Sequence, residues 1–511
     1  MPAQPVAQVI DEWKLIAEID HASAARAIVL AIFAGLAGQL LFVGQRGGIN
    51  VLVWVGLVLL GALVVRRPGA RLDRLDLWLP WSALVFAAFI ALRDEAMLFL
   101  FDLPAAGALT LASVVALGGY PLTRRSAGAV ARAGAMAIVV ASIGAGFLGT
   151  GVRPLASRLA LRDSPLLGAV VRGLLLAVPL LLIFLALFSA ADAVFDAQLR
   201  AITRFGIDAD ELITRLLFAF LAGWVFAGTL AATWLVQRPL AAAADEAAAS
   251  GWRIGRVEAL VVLVLLNVVF ALFVAVQAAY LFGGLDTLAV SGLTYADYAR
   301  RGFFELVAVA ALVGLVILVV GRRVAQPGWA VRLAAIALAL LTGAILVSAA
   351  YRMSLYQAAY GWTELRFYVL AAILWLAVCL VAAIVALASA RTGWLLRAAL
   401  AAGLLVAIGA NAIAPQAFVT ARNVERTIDP SLVAEGGWTG LDVEYISWLG
   451  ADAVPVLVQA HDRLPLAERA EVERVLRGWA NELRGQSATG GWPSWNLSRV
   501  VALEALTGAG Y

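Results

Sequence analysis

The chain has 511 residues, of which 63% are hydrophobic and only 14% are charged. Because about a quarter of the residues in soluble proteins are charged, this composition excludes an ordinary soluble globule. The net charge of +4 comes from arginines that stand singly or in pairs at the ends of apolar runs, so it indicates lipid headgroups and no nucleic acid as the partner.

Long apolar runs follow a mixed amino-terminal stretch, residues 1–26, in which residues 6–19 predict an amphipathic helix. From residue 27 to 414, apolar runs of 18 or more residues recur, and as helices they are long enough to cross about 30 Å of hydrocarbon. We therefore predict an all-α fold, a polytopic integral membrane helical bundle of about 12 spans, with a range of 11–13. The predicted spans are 27–44, 49–65, 77–92, 97–118, 132–149, 167–190, 213–236, 257–281, 301–321, 328–350, 365–389 and 394–413.

Arginines in the connecting loops predict the orientation of the spans, because cytoplasmic loops carry an excess of arginine. In the first third, the arginine-rich loops are 66–74 and 124–125, and in the second half they are 238–256, 322–323 and 391–397. With twelve straight spans these two sets would lie on opposite sides of the membrane. An odd number of spans, or a fifth segment that re-enters without crossing, would reconcile them and place the carboxyl terminus outside the cytoplasm.

The composition changes near residue 415, where 12 acidic residues and 8 arginines occur in the last 97 positions. We predict a small helical aqueous region over residues 415–511, on the extracytoplasmic side. Within it, Val472, Val475, Leu476 and Trp479 recur at helical spacing over residues 466–483, opposite charged positions.

The sequence offers few groups for catalysis or metal binding. The two histidines, His21 and His461, lie outside the predicted spans, and the one cysteine, Cys379, lies in an apolar run. A G-x-G-x-x-G string at residues 144–149 follows no strand, so close packing of helices explains it better than a dinucleotide site does. We expect no cofactor, no metal site and no catalytic residue, and an enzyme is the less favoured class.

Polar side chains near membrane depth are costly and are therefore candidate binding residues. Asp297, Arg301 and Glu305 follow one another at intervals of four and share one helix face. They form either an ion-pair ladder or an ion or substrate site. Arg352 or Arg366 is the natural partner of Glu305 if the ninth, tenth and eleventh spans adjoin.

Two further groups complete the candidate binding residues. Arg352, Tyr356, Tyr360 and Glu364 are also spaced by four and are followed by Arg366 and Tyr368, although Gly361 interrupts the helical pattern. The last pair, Asn267 and Gln277, lies in the predicted eighth span. Hydrogen bonding between helices is the alternative to ligand binding for these two residues.

Five strings of the chain, at residues 270–284, 293–305, 348–366, 423–426 and 441–455, resemble bacterial membrane families known as domains of unknown function 4153 and 4173. The resemblance covers about residues 165–460, with a family-like membrane core at about 165–414. Trp362 and Thr363 stand where those families commonly have Leu-Thr after Tyr-Gly. The resemblance implies a polytopic protein of the bacterial cytoplasmic (inner) membrane and supplies no established activity, ligand or catalytic residue.

Three classes of function are compatible with these features. The first is a non-enzymatic protein that binds or transports a small solute, ion or lipid through a polar intramembrane cavity lined by Glu305, Arg352, Glu364 and Arg366. The second is an accessory, sensor or scaffold protein with a membrane protein partner. The third is a transferase for a lipid-linked substrate, using carboxylates such as Asp297. A water-filled cavity would favour the first class and a solid bundle the second. A lateral groove with two carboxylates would favour the transferase.

Overall fold

The computed structural model describes residues 21–125, 127–143, 209–235, 254–282, 303–324, 327–434 and 436–511. In these residues the regular structure is helical apart from one isolated bridge between Ile254 and Val324, which confirms the all-α prediction. The helices are α1 His21–Phe42, α2 Ile49–Val65, α3 Trp78–Leu92, α4 Ala96–Leu117, α5 Ala127–Ile143, α6 Ala209–Leu235, α7 Arg256–Phe282, α8 Phe303–Arg323, α9 Trp329–Tyr360, α10 Glu364–Ala388, α11 Leu395–Ile413, α12 Pro415–Ile428, α13 Val443–Ser447, α14 Val454–Ala460, α15 Leu466–Thr489 and α16 Leu497–Gly508.

The apolar helices form a polytopic membrane bundle. In the described part of the chain, eight helices are long and apolar enough to cross a membrane, and three shorter apolar helices bring the number to eleven. They coincide with eleven of the predicted spans. The predicted span at 167–190 and the string at 144–149 lie outside the described residues.

Helix α9 extends ten residues beyond the predicted end of its span, to Tyr360. Apolar run length underestimates it because the last turns carry polar and aromatic side chains that still keep helical geometry. Gly361, with φ of 76°, ends the helix, and Thr363 then starts α10 by accepting a hydrogen bond from the backbone N–H of Arg366.

The described chain forms two compact units, one of Met1–Leu92, Leu100–Glu246 and Ser487–Asn496, and one of Arg93–Phe99, Ala247–Gln486 and Leu497–Tyr511. The second unit contains membrane helices together with most of the carboxyl-terminal helices. The predicted boundary between residues 414 and 415 remains a prediction about membrane depth, since both of its sides belong to this second unit.

In the first unit, α1 and α6 pack at backbone distance. Gly35 faces Ala219 and Gly223 on α6, and a Cβ atom added to Gly223 would lie 2.8 Å from the carbonyl oxygen of Ala31. Small residues permit this close approach inside a bilayer. The α1–α2 turn is held by a hydrogen bond of 2.9 Å from Ile49 N–H to the carbonyl of Trp495.

In the second unit, the membrane helices bury side chains such as Leu263, Ile317 and Leu338 between them. Their outer faces are also apolar, as shown by Val347, which is 70% exposed. An apolar outer face is the expected surface for contact with lipid chains.

The carboxyl-terminal helices α13–α16, with the end of α12, have a core of their own that includes Ile446, Leu457 and Leu506. Helix α12 begins at Pro415 directly after Ala414, whose φ of 55° turns the chain between α11 and α12. The predicted helix at 466–483 is α15, and of its predicted apolar face Val472, Leu476 and Trp479 are buried while Val475 is half-buried.

Candidate functional site

Only one residue of the first predicted group can be placed. Asp297 and Arg301 lie outside the described residues, and Glu305 is exposed in the first turn of α8. Among the described residues, no ion pair involves Glu305. A polar cavity lined by Glu305 and the two predicted arginines therefore remains a prediction.

The second predicted group assembles around the end of α9. The guanidinium of Arg366 lies 4.1 Å from the ring centroid of Tyr356, and the Tyr356 and Tyr360 rings are 5.2 Å apart. Arg366 Nη1 also donates to the carbonyl oxygens of Tyr360 and Gly361. Arg352 is 9% exposed in the same helix. These contacts stabilise the helix end, because cations favour the negative carboxyl terminus of a helix.

Arg426 completes this arrangement and was not among the predicted residues. It donates hydrogen bonds of 2.8 and 2.6 Å to the carbonyl oxygens of Gln357 and Ala358, and others to Ala359 and Trp438. Burial, together with the charge of Arg366, lowers the pKa of Arg426 from its ordinary high value. A buried guanidinium with four carbonyl acceptors is a structural anchor between α9 and α12.

The third predicted group holds a hydrogen bond between helices. Asn267 Nδ2 on α7 donates to the carbonyl oxygens of Leu263 and Ala334, both at 2.8 Å, and Ala334 belongs to α9. Gln277 is 8% exposed, farther along α7. Asn267 therefore ties α7 to α9 in the way expected of a polar side chain within the bilayer.

A buried polar cluster lies where the α3–α4 turn meets the start of α10, the start of α12 and the segment before α14. We call it the polar junction. Its members are Glu95, Glu364, Tyr368, Gln416, Tyr445 and Asp452. Sequence reasoning singled out Glu364 and Tyr368 but not Glu95, because residues 93–95 have the composition of a solvated turn and their cover lies hundreds of residues away in the chain.

Hydrogen bonds connect one half of the polar junction through Gln416. Its Nε2 donates to Glu364 Oε1 at 2.9 Å, and its Oε1 accepts from the N–H of Gly450 at 2.7 Å. The N–H of Glu364 donates to Tyr445 Oη at 2.8 Å, and Tyr368 Oη donates to Glu95 Oε1. The start of α10 and the carboxyl-terminal helices are thus joined by polar contacts.

Asp452 organises the other half. It accepts from Arg93 Nη1 at 3.2 Å, from the N–H of Asp94 at 3.1 Å and from Ser498 Oγ at 2.6 Å. Arg93 Nε also donates to the carbonyl of Asn411 at 2.8 Å. This network fixes the α3–α4 turn to the carboxyl-terminal region.

Glu95 is the least solvated acid of the polar junction, with 3% exposure. Burial raises its pKa to about 8, against the hydrogen bond from Tyr368, while the charges of Glu364 and Asp452 raise it further and the backbone N–H of Gln416 lowers it. Burial also raises the pKa of Tyr445 to about 12. At neutral pH the Glu95 carboxyl is therefore protonated. In the described part of the chain, no group of three or more His, Cys, Asp or Glu side chains could hold a metal ion.

An apolar groove of about 490 Å³ lies between α10 and α11. Three aromatic rings meet at the end beside the start of α10, where the Trp362 and Phe418 centroids are 4.9 Å apart and those of Phe367 and Phe418 are 5.8 Å apart. The groove is lined by Trp362, Phe367, Leu370, Ala371, Leu374, Val378, Ala402, Leu405, Val406, Gly409, Ala410, Ile413 and Phe418. No carboxylate is among these described lining residues, so the groove gives the transferase hypothesis no support.

The groove and the polar junction share one wall. Phe367 lines the groove and makes an edge contact with Tyr368, with ring centroids 5.5 Å apart, and Tyr368 binds Glu95. Aromatic rings thus separate the apolar groove from the buried carboxyl groups.

A comparison with known families matches residues 81–460 to a family described as a domain of unknown function, DUF4153. The matched region contains the groove and all six members of the polar junction. No curated protein and no solved structure matches the chain.

Proposed function

The chain belongs to the DUF4153 family, and from that premise we propose that it is a non-enzymatic membrane protein that binds an anionic lipid in the groove between α10 and α11. We also propose that the chain lies in the bacterial inner membrane, that its carboxyl terminus is extracytoplasmic, and that it shares a further likeness with domain of unknown function 4173. The groove is the observation that carries it.

The shape and lining of the groove fit a lipid chain better than an ion or a polar solute. Its volume of about 490 Å³ falls within the range of about 300–1,000 Å³ that is usual for ligand sites. All its lining side chains are apolar or aromatic, and both walls are predicted membrane spans. A charged ligand would lose its hydration there without gaining a polar partner, whereas an acyl chain would lose nothing.

A positive charge near the aromatic end favours an anionic headgroup. Arg422 lies 5.4 Å from the ring centroid of Phe418, and half of its side chain is exposed. It pairs with Glu425 at 2.9 Å, an exposed pair that contributes little stability and that a phosphate can displace. Arginine and aromatic residues are typical of the headgroup level of membranes, so a phosphate there would meet the guanidinium while the chain enters the groove.

The proposal is tested by filling the groove. A Cβ atom added to Gly409, which lines the groove, meets no atom within 4 Å, and the same holds for Gly343 on α9, which does not line it. We expect Gly409→Leu to fill the groove without disturbing the helix, since leucine is the better helix former. Gly343→Leu is the matched control.

The measurement is photocrosslinking in lipid nanodiscs with phosphatidylglycerol that carries a photoreactive group in one acyl chain. We expect crosslinks concentrated at residues 370–378 and 402–413 in the wild type and the Gly343→Leu control, and severalfold fewer in Gly409→Leu. Phosphatidylcholine that carries the same photoreactive acyl chain should crosslink less, and Arg422→Gln should remove this preference for phosphatidylglycerol. Crosslinks that are equally frequent on the outer faces of other spans, or unchanged by Gly409→Leu, would refute the lipid site.

The polar junction favours a second candidate, the sensor or accessory class. It connects membrane helices to an aqueous helical region through buried, titratable contacts, which a passive lipid-binding protein does not require.

A further inference from the structure

Glu95 is buried at the point where four parts of the second unit meet. The titratable groups coupled to it are the Tyr368 hydroxyl and the Glu364 carboxyl of α10, the Tyr445 hydroxyl of α13, and the Asp452 carboxyl of the segment before α14. The backbone N–H of Gln416, at the start of α12, also donates to it.

The cations beside this turn are engaged elsewhere. Arg93 binds Asp452 at 3.2 Å and the Asn411 carbonyl at 2.8 Å, and Arg499 lies 3.6 Å from Asp94. Among the described residues no cation pairs with Glu95, and its Oε2 atom is buried without a hydrogen-bond partner. An ionised carboxylate in this position would be desolvated beside two other carboxyl groups and would have no counter-charge.

We infer that Glu95 is a proton-binding site, and that the proton it takes up fastens the carboxyl-terminal helical region to the membrane helices. Solvation of the ionised Glu95 requires water to enter between the α3–α4 turn and its cover. That cover consists of Gln416, which accepts a hydrogen bond from the N–H of Gly450, and Asp452, which accepts one from the N–H of Asp94 in the turn. Ionisation therefore favours opening of the polar junction, and protonation favours the closed form. This inference does not depend on lipid binding in the groove.

The direction of the pH effect follows from linkage. The pKa of Glu95 is about 8 in the closed junction and 4.5 for an ordinary glutamate, so the closed form holds a proton that the open form releases between these values. Stability of the closed form is therefore greatest below pH 4.5 and is lost as the pH rises to about 8. Within that window the opening constant rises by up to about tenfold per pH unit.

Hydrogen exchange of the full chain in nanodiscs measures this opening. Amide exchange of residues 443–464, corrected for the intrinsic pH dependence, should accelerate in the wild type between about pH 5.5 and about pH 8. Glu95→Gln keeps the shape of the side chain but cannot ionise, so its corrected exchange should be slow and independent of pH. The control Glu504→Gln changes an exposed acid on α16 and should behave as the wild type does.

Tyr368→Phe provides a second, graded test. The Tyr368 hydroxyl lowers the pKa of Glu95, so its removal should move the acceleration to higher pH without abolishing it. A protonated carboxyl band in infrared difference spectra should titrate in parallel and be absent from Glu95→Gln.

Two results would overturn the inference. One is corrected exchange in the wild type that does not change with pH, and the other is an unchanged pH dependence in Glu95→Gln. If Glu95→Gln fails to fold, the Tyr368→Phe shift and the infrared band of the wild type decide, and absence of either counts against the site. Gly409→Leu should leave this pH response intact, which separates the proton site from the lipid site.

Discussion

At the scale of single residues, Gly361 holds a turn that no other residue can adopt without strain. Its φ is 76° and its ψ is −172°, and a Cβ atom there would lie 2.6 Å from Asn423 Oδ1. That oxygen accepts the N–H of Trp362 at 2.7 Å, and Asn423 Nδ2 donates to the carbonyl of Trp362 at 2.9 Å. The turn between α9 and α10 is therefore fixed by a glycine and one amide side chain.

We expect Gly361→Ala to destabilise the protein by about 2 kcal/mol or more, because it combines backbone strain with a steric overlap. The measurement is the midpoint of thermal unfolding in detergent micelles. Gly343→Ala, in open space inside α9, should instead stabilise by about 0.5–1 kcal/mol. Equal effects of the two substitutions would show that the turn is not strained.

The sequence singled out several residues at this scale without showing what they do. The string at 423–426 was recognised as a family feature, but the acceptors of Arg426 lie 67–69 residues earlier in the chain, apart from Trp438. Hydrogen-bond partners at such separation leave no local pattern. Glu95 was missed for the related reason that its burial depends on Gln416 and Asp452.

At the scale of helices, run length and hydrophobicity predicted the membrane spans well, because the cost of unpaired backbone groups in hydrocarbon leaves the helix as the simplest solution. The sequence could not show which faces meet. A helix that is apolar on all sides has no polar face to distinguish its packed side from its lipid side. The sequence therefore did not predict the groove between α10 and α11 or the contact between α1 and α6.

The contact between α1 and α6 gives a test at this scale. A methyl group at Gly223 would overlap the carbonyl of Ala31, which is backbone and cannot move aside, so we expect Gly223→Ala to destabilise by about 1–3 kcal/mol. Gly56→Ala on α2 is the control, since a Cβ atom there meets no atom within 4 Å. Thermal unfolding of both variants in the same detergent is the measurement. A loss of stability in Gly56→Ala as large as that in Gly223→Ala would contradict the packing argument.

At the scale of the whole molecule, the sidedness of the carboxyl-terminal region can be argued from its bonds. Asp452 binds the turn at residues 93–95, and Asn423 and Tyr445 bind the turn at residues 361–364. We therefore expect both turns to lie on the side of the membrane that holds this region. Among the described residues, six apolar helices, α4–α9, lie between the two turns, and the predicted span at 167–190 lies outside those residues. The two turns share one side when the number of crossings between them is even.

An even number of crossings between the turns would remove the conflict between the two sets of loop arginines. Twelve uninterrupted spans would place seven crossings between the turns, and the two sets would then disagree. With both turns on one side, we predict that the loops at 66–74, 124–125, 322–323 and 391–397 all face away from the carboxyl-terminal region, because one membrane span separates each loop from a turn. The positive-inside rule then predicts that this region is extracytoplasmic.

Cysteine labelling in intact cells tests the prediction directly, because Cys379 is the only cysteine of the chain and can be replaced by alanine. In that background, Glu504→Cys on α16 and Arg71→Cys in the loop after α2 both place a thiol at an exposed position. A membrane-impermeant maleimide should label Glu504→Cys in intact cells, and Arg71→Cys only after the membrane is permeabilised. The reverse pattern would place the carboxyl-terminal region in the cytoplasm. The polar junction would then respond to cytoplasmic protons. Labelling of Glu504→Cys from outside would instead mean that Glu95 responds to the pH of the cell exterior.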